Sequence, residues 1–139
     1  MNLPYRIRCV SFAMSRRFRE LLAGHGLTPS QWGVLCCLWQ QDGQTVSMIG
    51  TAVDLLPGTA TPVLRNLEQA GLIRRRRDKN DQRVWRIWLT PPGRRLEATL
   101  LPQVDALIRS YFSTFTDPEV AQLSDLIDRL LTVFSSEPG

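Results

Sequence analysis

The sequence predicts a mainly α-helical fold that is interrupted by one small β-hairpin. Along most of the chain, apolar residues recur at the spacing of three or four residues that is typical of helices. Between residues 72 and 90 the period changes to two, with arginines in the first half and Trp85, Ile87 and Leu89 in the second. The length of 139 residues and the hydrophobic content of 43% fit a single domain with an ordinary core.

Glycine and proline residues mark the ends of the first two predicted helices. A helix is predicted over about residues 5–23, and Gly24-His25-Gly26 ends it. The next segment, Thr28-Pro29-Ser30-Gln31, combines a capping box with proline in the first helical turn. It therefore predicts the start of a second helix, which ends at Asp42-Gly43.

Two shorter helices joined by a tight break are predicted next. Thr45 caps a third helix that extends to about Asp54, and residues 55–58 form the break. A fourth helix then ends at Gly71, because glycine is favoured just after the last helical turn. Two short helices joined by a tight turn are typical of a helix-turn-helix.

Pro62 leaves two possible starts for the fourth helix. Proline lacks an N–H group, so it fits best in a first helical turn, which favours a start near Thr59. A start at Pro57 would place Pro62 where it distorts the helix. The sequence alone leaves both starts open.

The hairpin and two long helices complete the chain. Four arginines lead into a polar turn over residues 78–82, as in the wing of a winged helix. Thr90-Pro91 opens a long helix in which Pro102 is expected to produce a kink or a split, and Asp117-Pro118 opens the last helix. The expected fold is therefore a winged helix-turn-helix with additional helices at both ends.

Positive charge is concentrated in and just after the hairpin. Residues 74–95 contain nine basic and two acidic residues, whereas the whole chain has a net charge of only +4. The rest of the chain is therefore slightly acidic. A compact positive lobe beside a helix-turn-helix indicates a polyanion as partner, and the expected polyanion is double-stranded DNA.

The terminal helices contain more large apolar residues than a small winged domain can bury alone. We therefore expect them to form a homodimer interface, because a two-fold protein would match a two-fold DNA site. The single domain 1–139 would comprise a DNA-binding core over about residues 28–95. Dimerisation helices would occupy about residues 1–27 and 96–139.

The fourth helix and the hairpin supply the candidate DNA contacts. Thr59, Thr61 and Arg65 lie at and after the start of the fourth helix, where small residues allow close approach and an arginine can pair with guanine. A guanidinium at the tip of the wing can enter the minor groove, and Asp81 is expected to fix that tip. The candidates in the hairpin are Arg74, Arg75, Arg76, Arg77, Asp81, Arg83 and Arg86.

Several segments of the sequence resemble the MarR family, and the resemblance covers about residues 5–134. The hairpin resembles the family's wing signature, with its Asp-x-Arg element at Asp81 and Arg83. Two residues depart from the family's pattern, since many members have a polar or basic residue in place of Pro62, and Trp88 is large for the outer face of a wing. The other similar segments are Gly26-Leu27-Thr28 with Gln31-Trp32 and Leu35, Leu67-Glu68 with Gly71-Leu72, and Gly93-Arg94.

The resemblance implies a homodimer that binds a pseudo-palindromic operator and commonly represses transcription. It implies that Arg83 enters the minor groove and that Asp81 stabilises the wing. It also implies that the major groove is contacted by Thr59, Thr61 and Arg65. In such proteins a small ligand, often aromatic or phenolic, frequently relieves the repression.

Aromatic residues near the expected junction of the dimerisation and DNA-binding parts are candidates for a ligand pocket. They are Phe12, His25, Trp32 and Trp39. Residues of these types are also common in cores and on surfaces, so a purely structural role is the alternative.

Cys9 suggests an alternative function, a thiol-based redox sensor. The hydroperoxide-sensing branch of the family has a reactive cysteine in its first helix, and Cys9 lies in the corresponding helix, although several residues closer to the second. Cys36 and Cys37 are adjacent and have no metal-ligand spacing, so reduced thiols are the simpler interpretation. A winged helix that binds another protein is a further alternative.

The motifs of other function classes are missing from this sequence. It has one histidine and no Gly-rich phosphate loop, HExxH or Gly-x-Ser-x-Gly motif, so we expect neither an enzyme nor a metal or cofactor. No apolar run is long enough to cross a membrane, and the N-terminus lacks the features of a signal peptide. A cytoplasmic location without membrane contact is therefore expected.

Overall fold

The computed structural model describes residues 2–53, 55 and 57–136, which form six helices and a three-stranded antiparallel sheet. The expected fold, mainly α with a small β-hairpin wing, is confirmed. Asp54, where the third helix was expected to end, and Leu56 in the expected break lie outside the described residues. The elements are α1 (Leu3–Ala23), α2 (Pro29–Gln40), β1 (Gln44–Thr45), α3 (Val46–Ala52), α4 (Pro57–Gln69), β2 (Ile73–Arg77), β3 (Trp85–Leu89), α5 (Pro91–Tyr111) and α6 (Asp117–Ser135).

Side-chain caps form the helix starts that the sequence predicts. At α2 the Thr28 hydroxyl accepts a hydrogen bond from the Gln31 N–H at 3.2 Å, and the Gln31 side chain accepts one from the Thr28 N–H at 2.9 Å. The Thr45 hydroxyl caps α3 by accepting from the Met48 N–H. α1 begins slightly earlier than predicted because the side chain of Asn2 caps it, a signal that apolar spacing does not reveal.

Pro62 lies inside α4, because this helix begins at Pro57. The start near Thr59 that the sequence favours is therefore wrong. Proline at this position deprives only one carbonyl, that of Gly58, of its helical donor. Gly58 is exposed, so water can satisfy that carbonyl and the cost to the helix stays small.

The sheet has the strand order β1-β3-β2, and β1 is an element that the sequence analysis did not predict. Its two residues are too few to show a period of their own. In the hairpin, Ile73 pairs with Leu89, and Ile87 is fully buried on the same face. These side chains join one core with residues of the helices: Leu22, Leu35, Leu38, Ile49, Leu64, Leu67 and Leu100.

α5 is one helix throughout, with Pro102 inside it. Of the two outcomes expected at this proline, a split is therefore wrong. The missing N–H leaves the carbonyl of Ala98 without its helical donor, and Ala98 is exposed to solvent.

Gly93 lies in the first turn of α5, where the helix passes close to the backbone of the turn between α4 and β2. A Cβ atom at Gly93 would lie 2.1 Å from the carbonyl oxygen of Leu72. The indole Nε1 of Trp39 also donates a hydrogen bond to the Gly93 carbonyl at 2.9 Å. Only glycine fits here without a shift of the backbone.

We expect Gly93→Ala to lower the free energy of unfolding by about 1–3 kcal/mol, because the new methyl group meets backbone rather than a flexible side chain. Chemical denaturation would measure this. Gly50→Ala, in α3, is the matched control, since its Cβ would make only an ordinary contact, 3.7 Å from the carbonyl oxygen of Leu55. Alanine there should be neutral or stabilise the helix by up to about 1 kcal/mol. Equal stability of the two variants would contradict the close approach at Gly93.

The chain divides into two compact units, Met1–Val104 and Asp105–Gly139. The first contains the whole segment predicted to bind DNA. In the second, α6 begins as predicted, with Thr116 and Glu119 forming a capping box. Among its described residues none is buried, and a row of large apolar side chains is exposed: Ile127, Leu130, Leu131 and Phe134.

Candidate nucleic-acid interface

α4 has one buried face and one exposed face. Its buried side chains Ala60, Leu64 and Leu67 are packed into the body of the first unit. The predicted contact residues Thr59, Thr61 and Arg65 are all exposed. An exposed polar face with an arginine, on a helix anchored by its other face, has the chemistry needed to contact base edges in the major groove.

The four arginines of β2 alternate between the two faces of the hairpin, as their spacing predicts. Arg75 is opposite the buried Ile87, and its Nη2 lies 3.3 Å from Oε1 of Glu68 in α4. Arg77, on the same face, donates to the carbonyl of Gln82, and its guanidinium lies 4.3 Å from the centroid of the Trp85 ring. Arg75 and Arg77 thus have intramolecular partners that the sequence did not reveal.

The other face of the hairpin presents exposed cations. Arg74 is paired in register with Trp88, and Arg76 with Arg86. Within the described part of the chain, Arg74, Arg76 and Lys79 have no side-chain hydrogen bond or ion pair. These three side chains are therefore available to DNA phosphates.

Two aspartates organise the tip of the wing. Oδ2 of Asp78 accepts hydrogen bonds from the N–H groups of Asn80 at 3.0 Å and Asp81 at 2.9 Å. Oδ1 of Asp81 accepts from the N–H of Arg83 at 3.1 Å and from its Nε at 3.2 Å. Asp81 therefore makes the kind of hydrogen bonds expected of a residue that fixes the tip, and this role stays a prediction. The sequence did not reveal the hydrogen bonds of Asp78. The Arg83 side chain is 91% exposed and therefore accessible from solvent.

Arg86 lies between the tip and the rest of the first unit. Its Nε is 2.5 Å from Oδ1 of Asp78, and its Nη1 donates to the carbonyl of Gly43 at 2.8 Å. Gly43 belongs to the turn between α2 and β1, which the sequence analysis interpreted only as a helix end. The predicted DNA contact at Arg86 stays a prediction, but this guanidinium already has two partners within the protein.

Asp42 holds the same turn against the base of the wing. Its Oδ1 accepts hydrogen bonds from the N–H groups of Gly43 at 3.0 Å and Leu89 at 2.9 Å. Its Oδ2 lies 3.2 Å from Nη2 of Arg94.

Gly43 has a φ of +73° and the ring of Trp88 packs on it, so that a Cβ there would lie 2.4 Å from the indole. The large Trp88 is thus accommodated because residue 43 has no side chain.

The hydrogen bond from Arg86 lowers the pKa of Asp78, and the backbone N–H groups of Asp81 and Asn80 lower it further. A carboxylate with a lowered pKa in the folded state contributes stability above its ordinary pKa of 3.8 and loses it as the pH falls through the folded value. The tip is therefore held in this arrangement at neutral pH.

We expect Arg86→Met to raise the pKa of Asp78 toward its ordinary value, since the largest cause of its lowering is removed. A carbon-detected NMR titration of the carboxyl groups would measure this. The pKa of Glu119 serves as an internal control. It is lowered by hydrogen bonds from Thr116 and should not respond. An unchanged Asp78 titration in the variant would contradict the Arg86 contact.

The four candidates for a ligand pocket have different surroundings. Trp32 and Trp39 are half-buried against the core, with ring centroids 5.5 Å apart. The imidazole Nε2 of His25 lies 3.0 Å from Oε1 of Gln103. Phe12 is 63% exposed, in a different surface hollow on α1. The structure thus brings the two tryptophans together, and a pocket that contains all four residues stays a prediction.

The three cysteines are free thiols in different surroundings. Cys9 is exposed on α1. Burial raises the pKa of Cys36 to about 11, with a smaller contribution from the neighbouring carboxylate of Glu97, so the Cys36 thiol is protonated at neutral pH. Cys37 is buried and its thiol donates to Oε1 of Gln44. A redox role for Cys9 stays a prediction.

The arrangement of the described residues bears on metal binding and on membrane insertion. Among them, no group of three or more histidine, cysteine, aspartate or glutamate side chains is arranged to hold a metal ion. No helix in the described part of the chain is long and apolar enough to cross a membrane.

Comparison with known proteins gives consistent matches. The sequence profile of the MarR family matches residues 27–85. The chain is 41% identical over 99 residues to the transcriptional regulator TtmR of Methylorubrum extorquens. The aligned segment covers 71% of this chain but only 51% of that protein. It is 30% identical to the regulator MhqR of Bacillus subtilis, over 84% of this chain and 86% of that one.

Two further matches concern a repressor and a DNA complex. The homoprotocatechuate degradative operon repressor of Escherichia coli is 27% identical over 119 residues, covering 86% of this chain and 80% of its own length. The fold is similar to that of MepR from S. aureus, solved as a DNA complex. That match has a TM-score of 0.81 and 28% identity, and it covers 96% of this chain and 98% of the other.

Proposed function

The chain belongs to the MarR family of DNA-binding transcriptional regulators, and from this premise we propose that it is a homodimeric repressor of a pseudo-palindromic operator. One observation carries the proposal. The exposed Arg83 at the wing tip and the exposed Thr61 and Arg65 of α4 belong to the same compact unit. One unit therefore offers contacts for two grooves of the same duplex.

We assign the candidate residues to four tasks. Thr59, Thr61 and Arg65 contact the major groove, where Arg65 can pair with O6 and N7 of guanine. Arg83 enters the minor groove, whose negative potential attracts a guanidinium. The positioning residues in the wing are Asp81, Arg75 and Arg77, and the cations for phosphates are Arg74 and Arg76.

Exposed apolar side chains support the homodimer. In the first unit, α1 exposes Leu3, Val10 and Phe12 to the extent of 64%, 55% and 63%. In the second unit, the row of large apolar side chains on α6 is also exposed. Such surfaces are costly in water, and a second copy of the chain would cover them. The domain division into a DNA-binding core at about 28–95 and dimerisation helices on either side is part of this proposal.

We propose that a small aromatic ligand relieves the repression. The support is the similarity to a repressor named for a degradative operon of an aromatic compound, homoprotocatechuate. Phe12, His25, Trp32 and Trp39 remain the candidates for its pocket. A thermal-shift screen with aromatic acids tests this, since a ligand that binds only the folded protein raises its unfolding temperature.

The alternative functions have less support. A module that binds protein would need apolar residues on the exposed face of α4, where Thr61 and Arg65 lie instead. For a redox sensor, peroxide would have to abolish operator binding by the wild type but not by Cys9→Ser. The family is one of regulators, and we propose a cytoplasmic protein without catalytic activity.

A binding assay across salt concentrations tests the proposed function. Operators selected from genomic DNA by the purified protein would be the probes. Affinity should fall steeply as salt rises, with a slope of log K against log salt of roughly −0.9 for each phosphate neutralised. A protein that binds no DNA even at low salt would overturn the proposal.

A further inference from the structure

We propose that Arg86 positions the wing for DNA binding, and that it acts through Arg83 rather than by touching DNA. The device is a latch made of Gly43, Asp78 and Arg86, which we call the wing latch. The inference rests on the proposed function and deepens it, because it assigns a task to residues that make no contact with the operator.

The wing latch lies where the core no longer holds the hairpin. Towards its base the hairpin is anchored by Ile73, Ile87 and Leu89, which are at most 5% exposed. Towards the tip, the paired residues Arg77 and Trp85 are exposed. β1 pairs with β3 only at Ile87 and Arg86, so the wing beyond these residues is a two-stranded hairpin. Such a hairpin has little stability of its own, and this outer half needs other contacts to keep one orientation.

Arg86 supplies these contacts by bridging two parts of the unit that are far apart in sequence. Nη1 bonds the Gly43 carbonyl at 2.8 Å, and Nε bonds Asp78 at 2.5 Å. Both bonds involve a charged group, and such bonds are shorter and stronger than neutral ones. The packing of Trp88 on Gly43 brings β3 close to the same turn.

From Asp78 the hydrogen bonds continue to the proposed minor-groove residue. Asp78 accepts from the N–H of Asp81, and Asp81 in turn accepts from the N–H and the Nε of Arg83. An unbroken series of contacts therefore joins the turn after α2 to the guanidinium of Arg83. We infer that this series sets the distance between the wing tip and α4, so that both grooves are engaged at once.

The charge and burial of Arg86 favour positioning over direct contact. Its side chain is 37% exposed, against 91% for Arg83. The Nε and Nη1 groups of Arg86 are already bonded to Asp78 and to the Gly43 carbonyl, so a phosphate contact through either of them would break a hydrogen bond within the protein. The exposed cations Arg74 and Arg76 can reach phosphates without such a loss.

A double-mutant cycle on operator affinity separates positioning from contact. Arg86→Met alone should weaken binding by about tenfold, the effect of losing charge-assisted hydrogen bonds. In an Arg83→Ala background, Arg86→Met should weaken binding by no more than about twofold, because the Arg83 contact that depends on the position of the tip is already absent. The salt slope in that background should stay unchanged. Arg95→Met changes an exposed arginine of the same basic segment and is the matched control. Its effect on operator affinity should be the same with and without Arg83→Ala.

For Asp78→Ala, the wing latch and simple electrostatics predict opposite changes in operator affinity. If electrostatics alone mattered, removing a negative charge beside the operator would strengthen binding. The wing latch predicts weaker binding, by about tenfold, again lost in the Arg83→Ala background. Unfolding temperatures of all variants would be measured so that affinities are compared only among folded proteins.

Three results would overturn the wing latch. They are additive effects of Arg86→Met and Arg83→Ala, a fall in the salt slope of about 0.9 on removing Arg86 from the Arg83→Ala protein, and operator binding by Asp78→Ala as tight as in the wild type. In each case operator binding by the wild type and by Arg95→Met would leave the proposed function intact. Loss of operator binding in those two proteins would instead overturn the proposed function.

Discussion

Arg83→Ala is expected to weaken operator binding by about 10- to 100-fold, the range of a lost arginine contact in a groove. Fold and dimer should be unaffected. The side chain is 91% exposed and its ion pair with Asp81 lies at the surface, where such pairs contribute little to stability. Fluorescence anisotropy with a selected operator would measure the affinity, and thermal unfolding would verify the fold.

Two further variants show what kind of contact Arg83 makes. Arg83→Lys keeps the charge but loses the planar guanidinium, so a minor-groove contact predicts a clear loss of affinity, whereas a simple phosphate contact predicts almost none. Lys79→Ala removes another exposed cation of the wing tip and should cost far less than Arg83→Ala. If Arg83→Ala binds the operator as tightly as the wild type, the assignment of the wing tip to the minor groove is wrong.

Local interactions explain why much of this fold could be predicted from the sequence. The starts of α2 and α6 depend on hydrogen bonds between residues three apart, Thr28 with Gln31 and Thr116 with Glu119. The hairpin was visible because one buried face produces an alternation over Ile87 and Leu89. Asp81 and Arg83, two residues apart, form a contact that their spacing alone allows. In each case one short window of sequence contains all the partners.

The features that were missed depend on residues far apart in the chain. β1 exists only because Gln44 and Thr45 pair with β3, and Arg86 reaches Gly43, which is 43 positions away. A pattern search cannot show such a pairing, because the order of the elements fixes it only after folding. Pro62 illustrates a different limit. The preference of proline for a first turn is weaker than the packing of the buried side of α4.

The residue types of the candidate site could be predicted from the sequence, but the contacts that each residue makes could not. The segment with four arginines was predicted to be a binding surface, but the sequence could not show which arginines have partners within the protein. The structure separates Arg75 and Arg77, which have protein partners, from Arg74 and Arg76, which have none within the described residues. The sorting follows from the register of β2 with β3 and from the position of Glu68, neither of which composition contains.

The second large effect is expected from charges placed on α6. Leu131 and Phe134 are 58% and 62% exposed, on a helix without a buried residue in its described part. If the proposed dimer covers them, Leu131→Glu with Phe134→Glu would bury two unpaired carboxylates there, and the dimer should dissociate. Sedimentation equilibrium should then show a monomer. Operator affinity should fall by about 100-fold or more, because a single subunit loses the gain from linked half-site binding.

Thr132→Glu is the matched control for this variant. It adds a negative charge to the same helix, but on a different side from Leu131 and Phe134, where an exposed threonine shows no need of cover. We expect it to remain dimeric and to bind the operator nearly as well as the wild type. Because the wing belongs to the first unit, both variants should keep its contacts and bind nonspecific DNA weakly at low salt. A Leu131→Glu, Phe134→Glu protein that stays dimeric would show that the subunits meet through another surface, for which the exposed face of α1 would be the next candidate.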